Sequence, residues 1–423
     1  MISLLVIADD FTGALDTGVQ FAERGIRTRV MIADSDENDG AGLSLECAED
    51  IQVLVVDAET RHMTAEAAYR KVYAVAAQAV EAGISFLYKK TDSALRGNIG
   101  SELSALLDAS KEAFLPFVPA FPGMKRITKD GIHYIDGVPV SRSVFGRDPF
   151  EPVRKDSVRE IIALQSSRQV KEIRDLSGIP WGEKGIWVFD SSSDEETGRI
   201  AERLKEKRAC RILAGCAGFA SMLPEILGLQ GTACQEEELE SKLLVVCGSV
   251  NPITRRQLEH GEDRGYFRMH LTMRERLDPG YWFTEDGQGR LEQLKRAYGE
   301  HVCCMVDSND KNGQQDILEY ADREGLSLDE VRRSITGTLG LILRMLLDEG
   351  VRAVLLVTGG DTLLGFMKEI GLEELEPIRE ILPGCVLTRF RYGDRDYHMI
   401  TKSGGFGEET LLEDMIEALK KGR

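Results

Sequence analysis

The chain has 423 residues, 42% hydrophobic and 29% charged, with 71 acidic against 53 basic side chains and a formal net charge of -18. That length suits two or three domains with packed cores. The acidic balance argues against a general nucleic-acid surface, which needs a basic face, so an anionic ligand requires a local basic pocket. The opening MISLLVIADDF lacks the basic region of a secretory signal, and no apolar run approaches the roughly 20 residues of a membrane span. Eight cysteines are dispersed without a CxxC pair, and the six histidines are equally scattered, so the spacing gives no zinc pattern. The expectation is a cytoplasmic protein with reduced thiols and no membrane or nucleic-acid partner.

Ser3–Ala8 reads as a buried parallel strand ending in Asp9-Asp10, followed by a helical pattern from Ala14 to Glu23. Thr28–Ile32 and Gln52–Val56 are further strands, the second closing on Asp57, with a polar loop, Asp34–Asp50, between them. Thr64–Ala82 is an Ala-rich helix. Ile84–Leu87 is a strand that runs into YKKTDSALRGN, and Gly100–Ala113 is a helix. Phe114–Val118 is a strand, and Ile132–Val140 is a hairpin turning at Asp136-Gly137. Helices near Val158–Leu164 and at Asp194–Lys207 accompany strands Ile186–Asp190 and Arg211–Ala214, and Gly215–Leu227 reads as helical. The composition then shifts at Gly228–Ser241. We read residues 1–230 as one domain, 231–241 as a linker and 242–423 as a second domain.

The second domain restarts the alternation at Leu243–Cys247. A helix capped by Asn251 with Pro252 first follows, then strand His301–Val306, helix Leu328–Asp348 and strand Val351–Val357. Cys385–Tyr392 and Tyr397–Thr401 form a terminal antiparallel pair before a last helix that runs through Leu419. Alternating strands and helices imply βαβ units, hence an α/β fold of two domains, each with a mostly parallel sheet flanked by helices. Ligands of such sheets sit beyond the carboxyl ends of the strands.

Asp9, Asp10, Asp57 and the Lys89–Arg96 stretch all fall at such ends. Lys89, Lys90 and Arg96 among Thr91, Asp92, Ser93, Gly97 and Asn98 make an anion site, or else a solvated basic turn. Asp9-Asp10 can orient hydroxyls or act as a base, or simply cap the next helix. Two adjacent acids aimed into one crevice repel, so one is expected to face elsewhere. In the second half, TGGDT at 358–362 and KSGGFG at 402–407 put glycines where a ligand can approach the backbone, and Gly248-Ser249 is a third such turn. Lys402 beside glycines can neutralise a phosphate. No GxxxxGK[ST] or GxGxxG occurs, since Gly405-Phe406-Gly407-Glu408-Glu409-Thr410 lacks the third glycine. That weakens a dinucleotide-dependent oxidoreductase.

On IADDFTGALDTGVQFA at 7–22, KKTDSALRGNIGSEL at 89–103, PAFPGMKRITKDGIHYIDGVPV at 119–140, SRSVFGRDPFEPV at 141–153, GSVNPITRRQ at 248–257, TGGDT and KSGGFG, the chain resembles the four-carbon acid sugar kinase family from end to end. The resemblance implies an N-terminal substrate domain, a C-terminal nucleotide domain and an active site in the inter-domain cleft. The implied reaction is ATP-dependent, Mg2+-assisted phosphorylation of threonate, erythronate or a 3-oxo-tetronate at the C4 hydroxyl. Carried over by position, Asp9, Asp10, Lys90, Asp92, Ser93, Arg96 and Gly97 face the substrate, and Ser249, Gly359, Gly360, Asp361, Thr362, Gly404 and Gly405 face ATP. Arg96 and Lys90 are expected to hold the acid's carboxylate, with Asp92 or Asp10 as the base and the metal ligands unassigned. One departure is Met124-Lys125 before Arg126, where the family pattern has a glycine. The alternatives are a binding regulator without turnover and an NAD(P)-dependent sugar-acid oxidoreductase. A homo-oligomer is compatible with the sequence.

Overall fold

The computed structural model describes residues 2–33, 50–148, 151–232, 237–309, 315–402 and 405–421. The chain forms two compact units, Met1–Cys234 and Gln235–Arg423. Most of the expected loop at 34–50 lies outside the described residues.

The sheet of the first unit uses β1 (Leu4–Ala8), β2 (Thr28–Ile32), β3 (Val53–Asp57), β4 (Phe86–Lys90) and β5 (Phe114–Val118). A separate three-stranded antiparallel sheet interrupts the alternation: β6 (Arg126–Lys129), β7 (Ile132–Ile135) and β8 (Val138–Pro139). The chain then returns with β9 (Val170–Ile173), β10 (Gly185–Phe189) and β11 (Ile212–Gly215). The main sheet runs β2-β3-β1-β4-β11-β5-β10-β9, every pair parallel. Its Val/Ile/Leu-rich strands are buried on both faces, as helix-covered parallel strands must be. After β1 the chain moves to one side for β2 and β3, then crosses to the other for β4. The switch in strand order therefore falls between β1 and β4, where sheets of this kind leave a crevice.

Helix α1 (Phe11–Ala22) follows β1, α2 (Ala65–Glu81) follows β3 and α3 (Ile99–Ser110) follows β4. Asp10 caps α1 by accepting from the Gly13 N–H, and Thr64 caps α2 through Ala67. Leu5, Ile7, Leu54, Val56, Val72, Leu103, Leu106 and Phe117 belong to one buried cluster that joins sheet and helices. The β7–β8 turn has positive φ at both Asp136 and Gly137, as a two-residue hairpin turn requires. Lys125, where the resemblance leads to the expectation of a glycine, adopts φ 53. The glycine-like backbone is thus kept without the glycine.

The second unit contains β12 (Leu243–Cys247), β13 (Phe267–His270), β14 (Cys303–Asp307), β15 (Val354–Thr358), β16 (Glu374–Leu382), β17 (Cys385–Tyr392) and β18 (Arg395–Lys402). The order is β13-β14-β12-β15-β18-β17-β16, with β17 antiparallel to both neighbours and the other pairs parallel. Here the switch falls between β12 and β15. Helix Pro252–Asp263 starts as its sequence dictates, with Asn251 accepting from Ile253 N and Pro252 in the first turn. Ser327 and Glu330 form a capping box on Leu328–Asp348.

Several details differ from the sequence expectation. β4 continues through Lys89 and Lys90, because Lys89 finds a buried acid. Gly215–Leu227 is two short helices, Ala217–Ala220 and Leu223–Ile226, with Pro224 in the first turn of the second. β16 escapes notice because Pro377 and its charged residues mask the pattern. No helix among the described residues is long and apolar enough to cross a membrane.

Candidate functional site

Because β3, β1 and β4 are adjacent, their carboxyl ends bring Asp57, Asp9-Asp10 and Lys90-Thr91-Asp92 together at the switch in strand order. The residue that organises them, Arg61, lies in the turn before α2. Its Nε donates to Asp9 Oδ2 at 2.8 Å, and its Nη2 is 2.7 Å from the same oxygen. Its Nη1 donates to Asp10 Oδ2 at 2.6 Å, and Nη2 lies 3.6 Å from Asp92 Oδ1. The expectation that one of the adjacent acids turns away is therefore corrected: both face one guanidinium, which removes their repulsion. Gly97, at φ 81, makes room for it, since a Cβ there would lie 3.2 Å from Arg61 Cγ.

The three aspartates are held differently. Asp9 is buried; burial raises its pKa, but Arg61, Lys90 and Lys89 together outweigh that and keep it below the usual value. Its Oδ1 is shut off from water with no hydrogen-bond partner among the described residues. Asp92 accepts from Arg96 Nε at 2.9 Å and Nη2 at 3.0 Å, and from the Ala94 and Arg96 amides, each at 3.2 Å. Burial works against its charge, but Arg96 and Arg61 overcome this and hold it well below the carboxylate range. Asp10 is the most accessible: its side chain is 24% exposed, against 2% for Asp9 and 9% for Asp92.

The two lysines of β4 point to opposite fates, as alternation along a strand requires. Lys89 is fully buried, 3.0 Å from the equally buried Glu102, and donates to the Ile7 and Lys90 carbonyls. Lys90 carries no ion pair with any described residue. Its ammonium sits beside the first turn of α1, so close that a Cβ on Gly13 would lie 2.6 Å from Nζ and 2.5 Å from Asp10 Oδ1. Arg96 completes its contacts with Asp148 Oδ2 at 3.2 Å. Ser93 Oγ accepts from Arg126, and the Ser93 carbonyl accepts from His133 Nε2 at 2.9 Å. Burial lowers the His133 pKa to about 4, so the imidazole is neutral and a fixed part of the frame.

In the second unit β12, β15 and β18 are adjacent, with Cys247, Thr358 and Lys402 in register. The turns that follow them therefore meet. A Cβ on Gly248 would lie 2.1 Å from Thr362 Oγ1, one on Gly359 would lie 3.7 Å from Ser249, and one on Gly405 would lie 3.8 Å from Asn251 Nδ2. Gly359 has φ 97 and opens helix Gly360–Ile370, whose first-turn N–H groups have no intrahelical partner. Asp361 is exposed and 3.7 Å from Arg332. Lys402 is buried at the end of β18 and donates to Thr254 Oγ1 at 3.2 Å; burial lowers its pKa to about 8. Gly404 lies outside the described residues. Among the described residues no group of three or more His, Cys, Asp or Glu side chains is placed to hold a metal.

Residues 4–223 match the family model of a sugar-binding N-terminal domain, and residues 244–412 that of a nucleotide-binding C-terminal domain. Relatives aligned over nearly the whole chain include the D-threonate kinase of Salmonella typhimurium, 28% identical and covering 98% of this chain and 97% of that protein. The chain belongs to the four-carbon acid sugar kinase family. The D-erythronate kinase of Heliobacterium modesticaldum is also 28% identical, over 99% of this chain and 97% of that protein. The 3-oxo-tetronate kinase of Pseudomonas savastanoi is 24% identical, over 98% and 96%. A solved Haemophilus influenzae structure shares the fold with a TM-score of 0.72 at 20% identity, covering 99% of each chain. The sequence reading missed Arg61 and Asp148, which the structure brings into this cluster by ion pairs. Arg61 carried a usable signal: it is a basic residue just beyond a strand end, four positions after Asp57.

Proposed function

We propose that this protein transfers the γ-phosphoryl group of ATP to the C4 hydroxyl of a four-carbon sugar acid: threonate, erythronate or a 3-oxo-tetronate. The observation that carries the reading is the charge-dense cluster at the first strand-order switch, where Arg61 gathers Asp9, Asp10 and Asp92 and Lys90 stands beside Asp9 and Asp10 with no ion pair to a described residue. Such a cluster suits a small ligand that has both hydroxyls and a negative charge. Asp9, Asp10, Arg61, Lys90, Asp92, Ser93, Arg96 and Gly97 form the substrate side.

Asp10 takes the proton of the attacking hydroxyl. It is the most exposed of the three, although its Oδ1 already accepts from Gly13 N–H and its Oδ2 from Arg61 Nη1, while Arg96 bonds both oxygens of the more buried Asp92. The hydroxyl oxygen bonds to the γ-phosphorus as the bond to the β-phosphate bridging oxygen breaks and ADP leaves. Ser249, Gly359, Gly360, Asp361, Thr362, Gly404 and Gly405 form the ATP side; at Gly359 and Gly405 the missing Cβ atoms leave room for phosphate oxygens to approach the backbone. Lys402 adds a positive charge beneath them. Asp361 would be the carboxylate available to hold a Mg2+ that takes its remaining ligands from nucleotide and water, and the ion would supply charge neutralisation. The enzyme works in the cytoplasm, where ATP is available.

The test is ADP release measured across D- and L-threonate, D- and L-erythronate and the 3-oxo acids, each with ATP and Mg2+. The kinase reading expects one or a few acids to give turnover well above the ATP-only rate. Binding of an acid without ADP release from any of them would instead support a regulator without turnover.

A further inference from the structure

We infer that Arg126 anchors the substrate's carboxylate, with Lys90 as its second cation, and that Arg96 serves to hold Asp92. The inference rests on the sugar-acid reading and deepens it. Five cations surround the first strand-order switch, and their partners separate them. Arg61 faces Asp9 and Asp10, Lys89 faces Glu102, and Arg96 grips Asp92 through two nitrogens and Asp148 through the third. Lys90 feels Asp9 and Arg126 feels Asp92 only at longer range; of these five, these two alone have no carboxylate oxygen of a described residue within ion-pair distance. A carboxylate arriving at Arg96 would have to displace Asp92, whereas one arriving at Arg126 displaces nothing.

Arg126 is also short of acceptors. Nη1 donates to Ser93 Oγ, while Nε is buried without a partner. A guanidinium edge left without acceptors is costly inside a protein, and a planar carboxylate satisfies it with two parallel bonds. The residue is rigidly presented. Its N–H and C=O both bond to Phe121, at 3.1 and 2.7 Å, and Lys125 in the left-handed conformation sets its direction. Phe145 supports its plane: the guanidinium carbons of Arg126 and Arg96 lie 5.3 and 5.0 Å from that ring's centroid. Lys90 and Arg126 both act on Cys216: burial raises the pKa of its thiol, and the two cations pull against that rise.

The experiment compares Arg126→Met, Arg126→Lys and Arg96→Met with the native full-length protein. Dissociation constants are measured by calorimetry for the preferred acid and for the matching neutral tetritol, alongside KM and kcat. Arg126→Met keeps a stem against Phe145 and should weaken acid binding about 10- to 150-fold, the value of one charge-assisted contact. The acid-over-tetritol preference should fall by the same factor. Arg126→Lys should recover part of it, and millimolar guanidinium should partly rescue Arg126→Met. Arg96→Met should reduce kcat while keeping the preference for the acid. Equal losses on acid and tetritol in Arg126→Met, no loss at all, or collapse of the preference in Arg96→Met instead would overturn the assignment. Should Arg126→Met not fold, Arg126→Lys carries the same comparison. If the native protein binds the acids but releases no ADP, the kinase reading fails while the calorimetry still decides the anchor. If it binds no acid, the anchor fails.

Discussion

Replacing Arg61 with methionine tests the centre of the proposed substrate site. The side chain is 10% exposed and is the principal counter-charge of Asp9, which is 2% exposed. Removing one member of a buried pair leaves the other as an uncompensated charge and costs about 3–5 kcal/mol. Lys90 and Lys89 still attract Asp9, so the lower end, about 3 kcal/mol, is expected. The loss has a pH signature. In the native protein the Asp9 carboxyl is held below its unfolded value, so its stabilising contribution is present above that value and fades as pH falls through the folded one. Without Arg61, burial raises the carboxyl above its unfolded value, and the variant then gains stability as acid protonates it. The difference between the two proteins is therefore largest at neutral pH and shrinks on acidification. Urea unfolding of the full chain at pH 8 and pH 5, with hydrogen exchange of the β1 amides to assign the transition, measures it. Adding Asp9→Asn to Arg61→Met should restore much of the loss. A cost below about 1 kcal/mol that is the same at both pH values, with no recovery in the double variant, would refute the hub role.

Three other outcomes follow from single features. With Lys402 lowered to about 8, kcat/KM for ATP should decline with an apparent pKa near 8 as the free enzyme loses that charge, and Lys402→Arg should remove the decline. Gly248→Ala, which drives a methyl into Thr362 Oγ1, should raise KM for ATP about tenfold while KM for the sugar acid stays put. Lys125→Gly, at φ 53, should stabilise the protein by about 0.5–1 kcal/mol in thermal unfolding, because glycine relieves the left-handed strain but loses more chain entropy.

The alternation of strands and helices was legible because its signals are local. Apolar runs of five residues, caps such as Thr64 and Asn251, and the Asp136-Gly137 turn each act within a few positions. Helix Leu328–Asp348 could be read to the residue because Ser327 and Glu330 mark its start. β9, β13 and β16 were not legible. VKEI and FRMH are short and half polar, and ELEPIREIL contains a proline and charges that a strand near the edge of a sheet tolerates. Pairing with neighbours, rather than propensity, makes them strands.

The site was legible only as a set of strand ends. That rule placed Asp9, Asp10, Lys90 and Asp92 near one another, but it counts cations without assigning their acids. Lys89 and Lys90 look equivalent on paper, yet Lys89 pairs directly with Glu102, 13 positions away, while Lys90 acts on Asp9 only at longer range. Arg96 looks available because Asp92, its partner, was read as a separate functional group. Arg61 and Arg126 lie outside the basic stretch altogether and reach it through the tertiary fold. In a chain with a net charge of -18, most cations have acids within reach, so a basic cluster in the sequence says little about ligand charge. What marks an anion site is the remainder after pairing. Here the cations without an ion pair to a described residue are Lys90 and Arg126, and the proposed carboxylate contact accordingly shifts from Arg96 to Arg126, outside the basic stretch.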